Sequence, residues 1–167
     1  MQIDTEELLI YPLNSEEMSL WINDLSRLEN KLGCSYCAES VEGVFKEVVQ
    51  SQLILALNDL PEFWLWYTFW FLIRKSDRKV VGSLVFKGRP SLGQGDVEVG
   101  YGLGKDFEHR GYMATAVKKI CEWAKKQPEV RFVTAETEKD KLASQRLLLR
   151  CGFEKFKETE QSYWYRF

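Results

Sequence analysis

Histidine, cysteine and proline are scarce in this chain, and no apolar run is long enough for a membrane helix. The four cysteines, Cys34, Cys37, Cys121 and Cys151, are too few and too scattered for a disulfide framework in 167 residues, so reduced thiols are expected. Cys34 and Cys37 have a metal-ligand spacing, but no second pair completes a four-ligand set and the lone His109 is far away in sequence; no metal is expected. With 4 prolines and 11 glycines the chain is neither collagenous nor of low complexity. The most hydrophobic run, Phe63 to Ile73, is about half the ~20 residues of a membrane span, so no membrane partner is expected. Residues 1–20 carry Asp4, Glu6, Glu7, Glu16 and Glu17 rather than a basic start followed by an apolar stretch, which leads to an expected cytoplasmic location.

What remains is the composition of a globular protein, 45% apolar and 29% charged. One domain over residues 1–167 is expected, burying ~70% of the surface that its unfolded chain would expose. The net charge of −2 hides an asymmetry, because residues 1–62 hold twelve acids against Arg27, Lys31 and Lys46. An acidic protein is a poor partner for nucleic acid, whose affinity comes from Lys and Arg neutralising phosphates. The split could attract a cationic substrate to the first part and an anionic cofactor to the second, or reflect only two solvated faces.

Periodicity predicts the element order. Leu8 to Tyr11 reads as a short strand, and Asn14 with Glu17 offers a capping box for a helix striped by Met18, Trp21, Leu25, Leu28 and Leu32. Gly33 ends it and a second helix follows through Val41, Val44, Phe45 and Val48. Thr68 to Arg74 and Val80 to Lys87 form a hairpin, residues 88–95 a loop, and Val97 to Leu103 a third strand. Residues 112–126 make the clearest amphipathic helix. A strand over 131–137, a helix over 142–150, and strands over 153–157 and 163–167 complete a mixed α/β architecture, a twisted sheet flanked by helices. The aromatic cluster from Phe63 to Phe71 could line a pocket, with alternation burying half of its strand members.

The helix beginning at Tyr112 follows Gly111, and a helix start offers unpaired N–H groups and a positive dipole end to a phosphate. Glu108-His-Arg-Gly111-Tyr-Met113, then Lys141-Leu-Ala-Ser144-Gln-Arg146, then Gly152-Phe153, together with the opening Thr5-Glu6 and Pro12-Leu13, resemble the GCN5-related N-acetyltransferase (GNAT) family and its ribosomal-protein and small-molecule branch. The resemblance covers most of the chain except residues 30–66. Glu108 stands where the family has Gln or Arg, Met113 where it has Gly or Ala, and Lys141 where it has Asn. A carboxylate ~4 Å from a phosphate would cost up to about 4 kcal/mol at an effective dielectric near 20, so Glu108 is expected to point away and leave the grip to backbone amides.

The resemblance implies acetyl-CoA as cosubstrate, bound by Tyr101, Gly102, Leu103, His109, Arg110, Gly111, Tyr112, Met113, Ala114 and Lys141. It implies transfer of acetyl to a primary amine, either a peptide or protein N-terminus or a small amine, in a monomer or homodimer. Glu98 is the implied base on its strand, with an exposed or ion-paired glutamate as the other reading. A bulge among Gly100, Gly102 and Gly104 would free an N–H near Leu103 for the acetyl carbonyl. Leu148 occupies the place where many members carry a tyrosine acid; Ser144 is the substitute, with Tyr163 a looser option. A non-catalytic acyl-CoA sensor or a cofactor-less interaction domain on the same fold is the alternative.

Overall fold

The computed structural model describes residues 1–90 and 95–167; Ser91 to Gln94 of the expected loop lie outside the described residues. Two antiparallel strands open the chain, β1 (Ile3–Asp4) and β2 (Leu8–Pro12). The capping box forms as read, Asn14 Oδ1 accepting the Glu17 N–H and a Glu17 carboxylate oxygen accepting the Asn14 N–H, each at 2.9 Å. The stripe expected to be one helix is two, α1 (Ser15–Asn23) and α2 (Leu25–Leu32). Asp24 leaves helical geometry at φ −153° and ψ 74°, and its carboxylate accepts the Arg27 N–H at 3.1 Å, starting a new helix instead of continuing the old one. After β3 (Ser35–Tyr36) comes α3 (Gly43–Asn58), so three helices, not the expected two, separate β2 from the central strands.

A 3₁₀ turn at Pro61–Trp66 leads into β4 (Phe69–Arg74), β5 (Lys79–Phe86) and β6 (Asp96–Leu103). Then follow α4 (Tyr112–Ala124), β7 (Phe132–Glu138), α5 (Leu142–Arg150), β8 (Glu154–Glu158) and β9 (Ser162–Arg166). The strands form one mixed sheet in the order β1-β2-β4-β5-β6-β7-β9-β8, with β3 pairing β5 off this path. Among the described residues no helix is long and apolar enough to cross a membrane.

Two cores lie on opposite faces of this sheet. On one, Met18, Trp21, Leu28 and Val49 of α1 to α3 pack against Phe69, Phe71, Val80 and Val85. On the other, Met113, Val117, Ile120 and Cys121 of α4 and Leu148 of α5 cover Trp70, Leu72, Val97, Val99, Val133 and Ala135. Helices therefore cover both faces of β4, and Phe69, Trp70 and Phe71 are all buried, correcting the expectation that alternation would leave half of these aromatics outside the core. Trp21 meets Phe69 and Phe71 edge-on at ring separations of 5.2 and 4.9 Å. Each fully buried side chain of this size contributes ~1.5–3 kcal/mol over its exposed state.

The expected bulge in β6 is absent. β6 pairs β5 in unbroken register from Phe86↔Val99 to Gly82↔Leu103, and the irregularity falls instead between Leu72 and Ile73, across β4 and β5. Gly82 makes that close pairing possible, since a Cβ there would stand 2.5 Å from the Gly102 carbonyl oxygen and 3.1 Å from Leu103 Cα. Gly82→Ala must push two backbones apart, so it should lower stability by ~1–3 kcal/mol, read as a lower urea midpoint.

Candidate active site

The parallel pairing of β6 with β7 lasts only from Asp96↔Phe132 to Glu98↔Thr134. Beyond it β6 stays with β5 while β7 continues against β9, and an opening separates the two strands. The Glu98 carbonyl accepts the Lys87 N–H of the β5 side at 2.9 Å. By alternation along the ladder, the main-chain groups of Val99, Tyr101 and Leu103 therefore point into the opening. The free N–H at Leu103 comes from strand divergence and not from a bulge.

Beside this opening lies the start of α4. His109 at φ 61° and Gly111 at φ 83° are left-handed, a reversal that Gly111 makes without a Cβ penalty. Among the described residues, no protein acceptor takes the N–H of His109, Arg110, Gly111, Tyr112, Met113 or Ala114; the first paired one is Thr115, donating to the Gly111 carbonyl at 3.0 Å. The Tyr112 and Met113 side chains are buried in the core beneath, so only their amides face outward. No atom lies within 4 Å of where a Gly111 Cβ would be, and His109 and Arg110 are exposed. A run of free N–H groups at a helix start, with arginine adjacent, has the chemistry to hold an anion. Glu108 is exposed, its carboxylate 3.9 Å from His109 Nε2. Lys141, just before α5, is also exposed and lies 3.8 Å from Glu138.

Two of the implied residues meet across a long sequence separation. Tyr101 reaches from β6 to α5, where its hydroxyl shares a 2.7 Å hydrogen bond with the Ser144 hydroxyl. Burial pushes the Tyr101 phenol up to about 12, opposed by the Ser144 bond. Leu148 is fully buried and brings no polar group to this place. Tyr163 lies on β9 with its ring under Lys155 Nζ at 4.2 Å and Lys139 Nζ at 5.3 Å.

Glu98 occupies the other face of β6, together with Gly100 and Gly102. Its side chain is 20% exposed and forms an ion pair with Lys87. A cavity of about 220 Å³ extends over the two bare glycines, walled by Tyr36, Phe45, Phe69 and Val85. The Glu39 carboxylate stands 3.8 Å from where a Gly102 Cβ would be. A second, more polar cavity of about 500 Å³ lies beyond, between Glu136 and Glu138 of β7 and the turn from Thr159 to Ser162 that enters β9, and Lys87 lines both.

Comparison with known proteins identifies the family. A profile of the acetyltransferase (GNAT) domain matches residues 46–154. The chain belongs to the GNAT acetyltransferase family. This GNAT chain is 32% identical over 96 residues to an uncharacterized N-acetyltransferase of Bacillus subtilis (strain 168), YjdG, a match covering 57% of this chain and 56% of that relative. The matched stretch thus spans about half the length of the curated relative. Among solved structures, the ribosomal-protein-S5-alanine acetyltransferase of Vibrio fischeri superposes with a TM-score of 0.72 at 18% identity, over 100% of this chain and 96% of that one. RimL, a ribosomal L7/L12 alpha-N-protein acetyltransferase in complex with coenzyme A, gives 0.69 at 12% identity, over 100% and 97%. At such identities these likenesses establish the shared fold.

Sequence reading passed over Lys87 and Glu39. Lys87 closes the strand expected over Val80 to Lys87, and only the β5–β6 register places it on Glu98. Glu39 lies in the stretch that matched no motif. Because Tyr101 and Tyr67 are both held near 12 against an ordinary 10.0, the unfolded chain ionises first as pH rises. The contribution of these two phenols to stability should therefore be fully present below pH 10 and be lost toward 12, with a smaller loss in Tyr101→Phe, as measured by urea midpoints from pH 9 to 12.

Proposed function

We propose that this protein moves an acetyl group from acetyl-CoA to a primary amine in a ternary complex, residues 1–167 acting as one domain. The reading rests on one observation, the run of acceptor-less N–H groups from His109 to Ala114 beside the β6–β7 opening. The diphosphate of acetyl-CoA would take these donors, with Arg110 and His109 adding side-chain contacts and Lys141 approaching from just before α5. Its pantetheine arm would follow the free edge of β6 at Tyr101, Gly102 and Leu103. The acetyl carbonyl then accepts from a main-chain N–H of that edge, which stabilises the oxyanion as it forms.

Glu98 takes a proton from the incoming ammonium, directly or through water, and the free amine attacks the thioester. A carbon–nitrogen bond forms, the carbon–sulfur bond breaks, and the sulfur leaves as a thiolate. Free thiols ionise near 8.5, so the departing thiolate needs only weak help, and the Tyr101–Ser144 hydroxyl pair is the nearby donor. The acceptor enters from the Glu98 face, where Glu39 favours a cationic group. The shared fold with acetyltransferases of ribosomal proteins S5 and L7/L12 supports a protein or peptide N-terminus as acceptor, ahead of a small free amine.

Acetyl-CoA at ~100 times its dissociation constant should stabilise the fold by ~2.7 kcal/mol, a rise of roughly 5–10 °C in melting temperature. No rise would refute the reading. With a panel of amines and N-terminal peptides, Glu98→Gln should lower thiol release by ~100-fold or more at neutral pH and leave acetyl-CoA affinity unchanged. Binding without thiol release from any acceptor would mark the protein as an acyl-CoA sensor.

A further inference from the structure

Lys87 stands where an acceptor would. Its backbone N–H donates to the Glu98 carbonyl at 2.9 Å, and its ammonium turns back onto the Glu98 carboxylate. Between these two anchors the side chain lies across the face of β6, with Cε 3.9 Å from where a Gly100 Cβ would be. It lines both cavities and is half-exposed. Gly100 carries no side chain to separate this amine from the strand whose other edge faces the opening. Lysines elsewhere in the fold pair with carboxylates that the proposed chemistry does not use, Lys31 with Glu16, Lys119 with Glu122 and Lys139 with Glu158.

We propose that Lys87 is itself an acetyl acceptor, modified within its own chain when no outside amine occupies the site. The inference rests on the acetyl transfer proposed above. Glu98 takes one proton from the Lys87 ammonium, and the freed Nζ lone pair attacks the thioester carbonyl. The carbon–nitrogen bond forms as the carbon–sulfur bond breaks, the electron pair leaves on sulfur, and the second proton shed by nitrogen ends on the thiolate. The products are Nζ-acetyl-Lys87 and free coenzyme A. Acetylation removes the ammonium, releases Glu98 from its ion pair and leaves a neutral amide between the two cavities.

The test incubates the purified full chain with acetyl-CoA and no acceptor, following intact mass and mapping the modified peptide, with acetyl-CoA binding measured in parallel by thermal shift. One acetyl group per chain on Lys87 is expected, at a rate independent of protein concentration. Lys87→Arg should abolish it, Glu98→Gln should slow it by ~100-fold, and Lys119→Arg should leave it unchanged. If acetyl-CoA binds and Lys87 stays unmodified, self-acetylation is refuted while the transferase reading stands. Absence of acetyl-CoA binding refutes both. Acetylation of Lys87 at the same rate in Glu98→Gln, or no faster than at other exposed lysines, means solution chemistry and overturns the proposal.

Discussion

Strand β6 can satisfy its main-chain hydrogen bonds along its full length on one side only. Its register with β5 is unbroken from Val99 to Leu103, and Gly82 permits the close approach that keeps it so. With β5 holding β6 and β9 holding β7, the parallel pair separates after Glu98. Polar main-chain groups within a sheet are almost always paired. A stretch whose N–H and C=O groups face an opening is therefore a place for water or for a ligand able to pair them. The sheet uses its hydrogen bonds to hold a gap as firmly as it holds a strand.

The same separation sorts the polar groups. On the α4 side lie the unpaired amides of residues 109–114, the helix dipole and Arg110, all favouring an anion. On the other face lie Glu98, Glu39 and Lys87 around the two bare glycines. The acidic excess of residues 1–62 is less of a field than its count suggests. Asp4 pairs with Lys75, Glu16 with Lys31 and Asp59 with Arg89, and exposed pairs of this kind are worth ~0–1 kcal/mol. The acid that reaches the bare-glycine cavity from this part is Glu39. A charge count finds the excess; only folded positions show which carboxylates are already partnered.

Much of the fold was legible because local signals were strong and agreed. The Asn14–Glu17 capping box, the stripe of α4, and the hairpin of β4 and β5 each follow from short-range chemistry. The misses have separate causes. Asp24 fits a helical stripe by spacing, yet its side chain competes for a backbone N–H and breaks the helix, an outcome that hydrophobic periodicity does not register. The aromatics of β4 obey alternation, but helices cover both faces, so alternation no longer separates inside from outside. A glycine-rich strand suggested a bulge, whereas the glycines of β6 leave a face bare over a cavity.

Sequence alone determined β2, the hairpin of β4 and β5, α5, where α4 begins, and that Gly111 precedes a helix start with free amides, because those features depend on residues within a few positions of one another. It also carried the motif order that pointed to the family. Tertiary structure alone decided that Tyr101 meets Ser144, that Lys87 lies on Glu98, and that the Glu39 carboxylate reaches the bare face of β6. Each of these meetings joins elements whose relative placement depends on sheet register and strand separation. Register is set by packing over the whole sheet, and a shift of one residue would turn every such side chain to the opposite face.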